Sequence, residues 1–446
     1  MKRTGNKKKL LMVCEAFGGG VFTYVSQLCN DMVDEFDVYL AYSLRPQTPK
    51  NYKDFLDKRV HLIQIKSFGE KSLTNIPNDI KIIKELRKIE KDVKPDIIHL
   101  HSSIAGGMGR LAYKGKNNTV VYTPHGYAHI LMGPSKKSTM YKWMEKILGK
   151  TNSMTLTCCE SEDEVAKKLC KRTAYIETGV NLADLSASLD GIEPVHNDKF
   201  TVFTLGRACV QKQPQLFNRI AELVPEARFI WIGDGELEKE LTAPNIEVTG
   251  WKPRKEALAM AKGADAFILC SLGEAIAMSL IENMYIKKLI LVSNTIGNKS
   301  VIEDSVNGYV CETPEEYAAK INAAMKAFPK ELPERAYQDV LEIYNTEAMK
   351  KKYIEFYNRI FRKPMQLKGN VFLKIKRRSM NNMITPKEIE QKTMSPEKRK
   401  SAKNDYFAFY IGRPLTYVLT IPFLYTNISP NAVSYISFVP TIVGFV

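Results

Sequence analysis

The sequence predicts two successive α/β domains, each built on a parallel sheet that helices cover on both faces. Short β-branched runs alternate with helical patterns from residue 8 to about 178, and the same alternation returns from about 200. Strands that are apolar along their whole length are typical of parallel sheets buried on both sides. Between the two regions, 179–198 is rich in Gly, Ser, Pro and Asn and has little periodicity, which predicts an interdomain linker.

The first domain covers 1–178 and the second covers 199–333, followed by a helical stretch at 334–360. Strand candidates in the first domain are 8–13, 36–42, 60–65, 96–102, 119–125 and 153–159. Strand candidates in the second domain are 200–206, 227–233, 246–250, 266–271, 289–294 and 308–311. Doubly wound, Rossmann-like domains of this kind bind ligands at the carboxyl ends of their strands, so we expect the two to face each other across a cleft.

The charge of the chain is concentrated in one segment. The 446 residues carry a formal net charge of +16, and 361–403 alone carries 13 Lys/Arg and 3 acids. This distribution excludes a uniformly basic nucleic-acid binder, and we expect no nucleic-acid partner. The eight cysteines show no C-x-x-C spacing and lie mostly in apolar runs, which predicts buried free thiols in a reducing compartment.

Both ends of the chain bear on its location. The apolar run Leu10-Leu11-Met12-Val13-Cys14 before Glu15 is too short for a signal peptide, so we expect a cytoplasmic body. After the basic linker 361–403, the segment 404–446 is aromatic and apolar, and 432–446 has no charge. Because a span takes about 20 such residues, we expect incomplete membrane helices and a fragment of a longer membrane protein, with the basic run on the cytoplasmic side. The alternative is a solvated linker with an adhesive tail.

A glycine loop follows the first predicted strand. Gly18-Gly19-Gly20 opens a helix, where glycines permit close backbone approach and free N–H groups attract an anion. Thr23 stands where the dinucleotide fingerprint needs glycine, and no acid ends the second strand at Tyr42, so an NAD enzyme is disfavoured. A plain tight turn remains the alternative.

Two cations follow the first strand of the second domain. Gly206-Arg207 ends that strand and Lys212 comes five residues later. At the carboxyl edge of a parallel sheet, a forked guanidinium and an ammonium can clamp a diphosphate. The alternative is a pair of solvated surface cations.

Two carboxylates flank seven residues in the same domain. We expect Glu274 in a loop, a helix start near Ala277, and Glu282 on the first turns of that helix. The N–H groups of Ala277, Met278 and Ser279 can then face a phosphate, and the carboxylates can accept from sugar or ribose hydroxyls. One such glutamate alone could equally be a cap or a solvated acid.

Histidines mark the other side of the expected cleft. His125, in Tyr122-Thr123-Pro124-His125-Gly126, closes a first-domain strand and would face the crevice. A histidine before glycine is by itself more often structural than catalytic. His99 and His101 alternate on a strand, and we interpret them as packing or rim residues.

Taken together, these segments resemble the family-4 retaining glycosyltransferases of the GT-B fold over about 8–360. The resemblance is carried by Gly18-Gly19-Gly20, Leu100-His101-Ser102-Ser103-x-Ala105-Gly106, Thr123-Pro124-His125-Gly126, Gly206-Arg207 with Lys212, and Glu274-x7-Glu282. Leu100 to Gly106 resembles bacterial capsular and exopolysaccharide members in particular. The combination is specific, although no single motif is.

The resemblance implies a role for each part of the donor site. Arg207 and Lys212 would bind the donor diphosphate, and Glu282 would bind the ribose. Gly250 lies where enzymes of this family contact the nucleobase, and this assignment rests on a less specific match than the others. The helix at 334–360 would cross back to brace the first domain.

It also implies the groups nearest the reacting sugar. Glu274 would hold hydroxyls of the donor sugar, and His125 would contact that sugar from the acceptor domain. Gly19 and Gly20 would approach donor phosphate or acceptor. The family usually has Gly after the first Glu and Pro two residues later, whereas this chain has Ala275 and Ala277. That departure motivates an alternative, a catalytically impaired sugar-nucleotide-binding protein.

The implied reaction is hexosyl transfer from a nucleotide sugar, with UDP-sugar as the expected donor, without a cofactor. Cations and helix N–H groups can stabilise the departing diphosphate, and the chain has no D-x-D pair to hold a metal ion. Retention of configuration is implied by the family alone. A phosphorylase is disfavoured, since nothing marks a pyridoxal site.

The expected acceptor is lipid-linked, at the cytoplasmic face of a bacterial membrane, in capsule, exopolysaccharide or other surface-glycan synthesis. The stretch 136–148 mixes lysines with Met, Tyr, Trp and Leu, a composition that suits an interfacial helix on anionic lipid. The alternative is a helix packed by its apolar side with its lysines in water.

The end of the chain carries a second resemblance, to the opening of CDP-alcohol phosphotransferases. It rests on Asp405-Tyr406-Phe407, Arg413-Pro414-Leu415 and Asn427-Ile428-Ser429-Pro430-Asn431-Ala432-Val433-Ser434. The catalytic aspartate signature of that family, with D-G-x-x-A-R, is absent from the sequence. An alternative therefore makes this chain part of a bifunctional protein whose main activity is CDP-alcohol phosphotransfer.

Overall fold

The computed structural model describes residues 7–69, 76–113 and 119–362. These residues fall in one compact unit that contains both α/β lobes. The predicted basic linker beyond Arg362, the membrane helices and the phosphotransferase-like segment lie outside the described residues.

The first lobe is a seven-stranded parallel sheet covered by helices, in the order β3-β2-β1-β4-β5-β6-β7. Its strands are β1 (Lys8–Phe17), β2 (Phe36–Leu44), β3 (His61–Gln64), β4 (Ile97–His101), β5 (Thr119–Thr123), β6 (Ser153–Thr157) and β7 (Thr173–Tyr175). Its helices are α1 (Gly19–Met32), α2 (Ile76–Val93), α3 (Ser103–Ala112), α4 (Ala128–Leu131), α5 (Lys136–Leu148) and α6 (Glu160–Leu169).

The burial of β1 explains why this strand is apolar along most of its length. Leu10 and Met12 point into a core shared with α1, whereas Leu11 and Val13 point into the core on the other face. Successive side chains of a strand alternate between faces, so both faces need apolar residues when helices cover both.

The second lobe is a six-stranded parallel sheet in the order β10-β9-β8-β11-β12-β13. Its strands are β8 (Thr201–Leu205), β9 (Arg228–Ile232), β10 (Ile246–Val248), β11 (Ala266–Leu269), β12 (Leu289–Ser293) and β13 (Tyr309–Cys311). Its helices are α7 (Leu182–Leu189), α8 (Pro214–Leu223), α9 (Arg254–Gly263), α10 (Met278–Tyr285), α11 (Asn298–Val301) and α12 (Pro314–Lys326). The predicted fold class of two doubly wound lobes is confirmed.

Two segments differ from the sequence prediction. The stretch 179–198 is not irregular throughout, because it contains α7, whose N-terminus Asn181 caps by accepting from the Asp184 N–H at 3.0 Å. The stretch 334–360 is two helices rather than one, α13 (Glu331–Glu342) and α14 (Thr346–Arg362).

Helix α14 returns to the first lobe and completes its core. Met349, Phe356 and Ile360 are buried there beside strand and α1 side chains. The Tyr353 hydroxyl lies 2.5 Å from the Tyr24 hydroxyl of α1. The last helix of the described chain therefore packs into the core of the first lobe, although it follows the second lobe in the sequence.

The lobes also touch directly near α6. Ser161 Oγ accepts from the Gly297 N–H at 2.9 Å and from Ser300 Oγ at 2.6 Å. The Cys159 thiol donates to the Ala275 carbonyl at 3.1 Å, so the first lobe contacts the loop that carries Glu274. All eight cysteines are free and seven are buried, as predicted. Within the described ranges, no helix is long and apolar enough to cross a bilayer.

Candidate active site

A cavity of about 400 Å³ lies between the lobes where strands of both sheets end, and we call it the central cavity. Its first-lobe wall includes Gly20 and His125, and its second-lobe wall includes Lys212, Glu274 and Ala277–Ser279. The structure thus brings into one cavity predicted site residues that are up to 259 positions apart in the sequence.

The glycine loop at the start of α1 lies on the first-lobe side of the central cavity. Gly19 begins α1 with a φ of +54°, in the left-handed region that favours glycine. Apart from the chain neighbours and the backbone of α1 itself, no atom lies within 4 Å of the place where a Cβ on Gly19 or Gly20 would stand. The backbone at the start of α1 is therefore open to whatever enters the cavity.

Lys212 and Glu274 contact each other on the second-lobe wall of the central cavity. Lys212 Nζ lies 2.6 Å from Glu274 Oε1, and the Ser271 hydroxyl donates to the same oxygen at 2.6 Å. The Glu274 N–H donates to the Ile296 carbonyl at 2.9 Å, which fixes the loop after β11. Both charged side chains are mostly buried, so the carboxylate is held by two donors in one position.

The N-terminus of α10 faces the same cavity. Ala277 precedes the helix in an extended conformation and provides no side-chain cap. The first amides of a helix, here those of Met278 and Ser279, have no intrahelical acceptor and carry partial positive charge. None of residues 274–277 has a positive φ, so Ala275 and Ala277 fit this loop without backbone strain.

Arg207 and Glu282 line a neighbouring cavity of about 420 Å³, which we call the Trp251 cavity. It adjoins the central cavity at Leu205 and Gly206, which line both. Trp251 stands at its wall with 72% of its surface exposed.

Glu282 has a partner that the sequence analysis did not identify. Arg254 Nη2 lies 2.9 Å from Glu282 Oε1. Burial raises the pKa of Glu282, and the Arg254 guanidinium opposes that shift. The one feature in the sequence that could have indicated this pair is the position of Arg254 at the start of α9.

Gly250 lies beside the Trp251 cavity rather than in its wall. It has a φ of +68° and pairs with Gly233, which does line the cavity. Apart from its two chain neighbours, no residue has an atom within 4 Å of a Cβ built on Gly250, so this turn is open. The assignment of Gly250 to the nucleobase stays a prediction.

His125 faces the central cavity from the first lobe. Its φ is +55°, and its ring packs edge-on against Tyr24 with centroids 4.7 Å apart. His125 Nε2 lies 3.0 Å from His101 Nδ1, and the two rings stack. Burial lowers the pKa of His125 to about 3, so the imidazole is neutral at physiological pH.

The histidine contacts continue away from the cavity. The rings of His101 and His99 lie 4.1 Å apart, and both residues are fully buried. His99 Nδ1 lies 2.7 Å from the Tyr357 hydroxyl of α14, and Nε2 lies 2.8 Å from Thr123 Oγ1. His99 and His101 are therefore packing residues, and through them α14 reaches His125.

Cys158 and Tyr24 also line the central cavity, and the sequence analysis did not assign either to the site. Little in the sequence points to either residue. Cys158 belongs to a Cys-Cys pair at the end of a strand, and Tyr24 belongs to an ordinary amphipathic helix. Within 7–69, 76–113 and 119–362, no group of three or more His, Cys, Asp or Glu could hold a metal ion.

Two lobes with parallel sheets that face each other across a cleft form a GT-B-like fold. Residues 18–184 match the family model for Glycosyltransferase Family 4, and residues 189–339 match the model for Glycosyl transferases group 1. The chain therefore carries both glycosyltransferase domains in that order, as the sequence predicted, and the second supports a hexosyltransferase.

Two bacterial relatives align with most of this region. One is the UDP-Gal:alpha-D-GlcNAc-diphosphoundecaprenol alpha-1,3-galactosyltransferase of Escherichia coli, 27% identical over 58% of this chain and 73% of the relative. Another is the putative glycosyltransferase EpsD of Bacillus subtilis, 23% identical over 54% of this chain and 70% of the relative.

Solved structures share the fold. Sucrose-phosphate synthase from Thermosynechococcus elongatus has a TM-score of 0.65 at 15% identity, covering 80% of this chain and 99% of that one. Anabaena HepE, crystallised with UDP and glucose, has a TM-score of 0.61 at 17% identity, covering 79% and 100%.

Proposed function

We propose that this protein is a retaining glycosyltransferase that moves a hexosyl group from a UDP-sugar to a lipid-linked acceptor in bacterial surface-glycan synthesis. The observation that carries the proposal is the convergence of Lys212, Glu274, His125 and the N-terminus of α10 on the central cavity. The presence of UDP in the HepE structure and the donor in the name of the E. coli relative support this choice of donor.

The charges in the cleft suit a nucleoside diphosphate sugar. Arg207, Lys212 and the α10 amides supply positive charge around Gly206, where the two cavities adjoin, so the diphosphate binds there. The nucleoside then occupies the Trp251 cavity with its ribose on Glu282. The sugar occupies the central cavity, where Glu274 accepts from its hydroxyls.

Transfer depends mainly on stabilising the leaving diphosphate. Negative charge grows on its oxygen as the glycosidic bond breaks, and fixed donors such as Lys212 and the α10 amides each contribute about 3 kcal/mol. His125 is neutral, so it contacts the sugar as a hydrogen-bonding group rather than as an imidazolium. The acceptor hydroxyl attacks the anomeric carbon on the face that the diphosphate leaves and passes its proton to the departing diphosphate oxygen, so the configuration is retained and no metal ion takes part.

The surface of α5 supports a membrane location for this reaction. Met140, Trp143 and Ile147 lie on one helix face and are exposed, Trp143 to 65%. Exposed lysines of the same helix, such as Lys142 and Lys146, surround this stripe. An apolar stripe with basic flanks matches the interface of an anionic bilayer, so we place the protein on the cytoplasmic face of the membrane.

The proposal is tested with the purified full chain and a panel of UDP-glucose, UDP-galactose, UDP-N-acetylglucosamine and GDP-mannose. We expect one UDP-sugar to be consumed with a sugar-diphosphate-lipid acceptor in the presence of EDTA, and NMR of the product to show the donor's anomeric configuration. Inversion, or a requirement for a divalent ion, contradicts the mechanism.

Matched arginine variants locate the chemistry. Arg207→Ala should lower kcat/KM by about 10²–10³-fold without changing the fold. Arg219→Ala removes an exposed arginine that pairs with Glu222 outside the cleft, and it serves as the control. Near-normal transfer by Arg207→Ala contradicts the donor assignment. Binding of UDP-sugars without turnover across the panel favours the alternative, a sugar-nucleotide-binding protein.

A further inference from the structure

The turn that carries His125 has an unusual backbone. His125 and Gly126 have φ values of +55° and +88°, so two consecutive residues lie in the left-handed region. Glycine adopts this region freely, but a histidine does so only at a cost in free energy. Contacts from outside the turn must therefore hold His125 where it lines the central cavity.

A buried carboxylate from another helix binds this turn. Glu162 is the third residue of α6, and none of its surface is exposed. Its Oε1 accepts from the Gly126 N–H at 2.9 Å, and its Oε2 accepts from the Cys158 N–H at 3.0 Å. One carboxylate thus joins the loops that follow the neighbouring strands β5 and β6, and both loops line the central cavity.

These contacts are not those of an ordinary helix cap. A glutamate at the third position of a helix commonly accepts from the N–H of the N-cap residue, which in α6 is Cys159. Glu162 instead accepts from the residue before the cap and from a loop 36 positions away. Burying a carboxylate costs free energy, which the two amide donors offset, so its position is explained by the backbone that it holds.

The helix that carries Glu162 also touches the opposite wall of the cavity. The Cys159 thiol, at the N-cap of α6, donates to the Ala275 carbonyl at 3.1 Å, next to Glu274. The start of α6 therefore contacts both the His125 turn and the loop that carries Glu274. A shift of this helix start would change the distance between the two side chains that we assign to the donor sugar.

We propose that Glu162 is a positioning residue for sugar transfer, which acts by holding the backbone turn that presents His125 to the donor sugar. This inference rests on the proposed function, because His125 is assigned to that sugar there. Glu162 is fully buried behind the turn, so it acts through His125 and exchanges no proton with the substrate.

The first test measures steady-state transfer at pH 8, where carboxylates are ionised. Glu162→Gln keeps the size of the side chain, but its NH₂ group cannot accept from a backbone N–H, so one of the two hydrogen bonds is lost. We expect kcat to fall by about 10–10²-fold, with little change in KM for the UDP-sugar, whose nucleoside and diphosphate are assigned to the second lobe. Glu160→Gln, the same substitution at an exposed position of α6, is the matched control and should leave kcat unchanged.

A double-variant cycle separates positioning from a general structural effect. Because Glu162 acts through His125, Glu162→Gln should change kcat by less than about twofold in a His125→Asn background. The same fold loss in both backgrounds, an equal loss in Glu160→Gln, or near-normal kcat in Glu162→Gln would overturn the inference.

A second measurement does not depend on activity. In protein isotopically labelled at histidine, the NMR resonance of the His125 ring is assigned by its absence from His125→Asn. Glu162→Gln should shift this resonance and Glu160→Gln should not, and an unchanged resonance in Glu162→Gln would overturn the inference. If Glu162→Gln does not fold, Glu162→Asp, which keeps the charge but shortens the side chain, is compared with Glu160→Asp in the same way. Absence of transfer by the wild type would contradict the proposed function, and the resonance would still decide whether Glu162 holds the His125 turn.

Discussion

The Lys212 ammonium lies 2.6 Å from Glu274 Oε1, although the two residues come from different loops of the second lobe. Each therefore neutralises the other's charge. Under the proposed donor assignment, phosphate would contact the ammonium and sugar hydroxyls would contact the carboxylate, so donor binding would replace this ion pair.

Removing the ammonium should destabilise the protein as well as inactivate it. In Lys212→Met the mostly buried carboxylate of Glu274 loses its ion pair, and we expect the free energy of unfolding to fall by about 1–2 kcal/mol. Urea unfolding at pH 7 measures this. Adding Glu274→Gln should recover most of the loss, because no unpaired charge then remains; purely additive effects would contradict the coupling.

His125 should give stability a specific pH dependence. Its pKa is about 3 in the folded protein and near 6.5 when unfolded, so the unfolded chain binds the extra proton. Its contribution is therefore complete above pH 6.5 and is lost as the pH falls toward 3. His125→Asn, which tolerates the left-handed backbone, should reduce the slope of unfolding free energy by up to about 1.4 kcal/mol per pH unit between pH 4 and 6.

The same pKa bears on catalysis. Because His125 stays neutral from pH 5 to 8, the pH profile of kcat/KM should show no inflection near 6.5 that depends on this residue. An inflection there that disappears in His125→Asn would show that the imidazole titrates in the working enzyme.

The contact of α14 with His99 should contribute measurably to the free energy of unfolding. Tyr357→Phe leaves His99 Nδ1 buried without its partner and should lower the free energy of unfolding by about 1–3 kcal/mol. Tyr337→Phe, on a partly exposed ring of α13, serves as the control and should change it by much less. Equal effects would mean that the Tyr357 hydroxyl adds nothing to the first lobe.

Membrane binding should depend on the exposed face of α5. Trp143→Ala should weaken sedimentation of the full chain with vesicles containing anionic phospholipid, because the ring no longer inserts at the interface. Lys142→Glu with Lys146→Glu should weaken it further by about 1 kcal/mol per charge. Phe328→Ala, an exposed aromatic elsewhere, should have no effect; if it matches Trp143→Ala, α5 is not the contact surface.

The pattern of apolar strands predicts most of the fold, and the elements that it does not predict are short. Strand β7 has three residues at the sheet edge, too few for a period to show. Helix α7 has only eight residues, two of them serine and one aspartate, and lies in a stretch with Gly and Pro, so the stretch resembles a linker. The break between α13 and α14 at residues 343–345 carries neither Gly nor Pro, and Asn345 caps the second helix there by accepting from the Ala348 N–H.

The site was predicted less completely, because its contacts join distant loops. The sequence placed Lys212 and Glu274 at strand ends, but their 2.6 Å contact depends on how two loops fold. The pairing of Arg254 with Glu282 joins two helices in the same way.

A crystal structure of the protein soaked with UDP tests the proposed donor site. We expect the β-phosphate within hydrogen-bonding distance of Lys212 Nζ and the first amides of α10, with Arg207 on the diphosphate and the ribose on Glu282. UDP bound outside the two adjoining cavities, or with its phosphates turned away from Lys212 and Arg207, would contradict it.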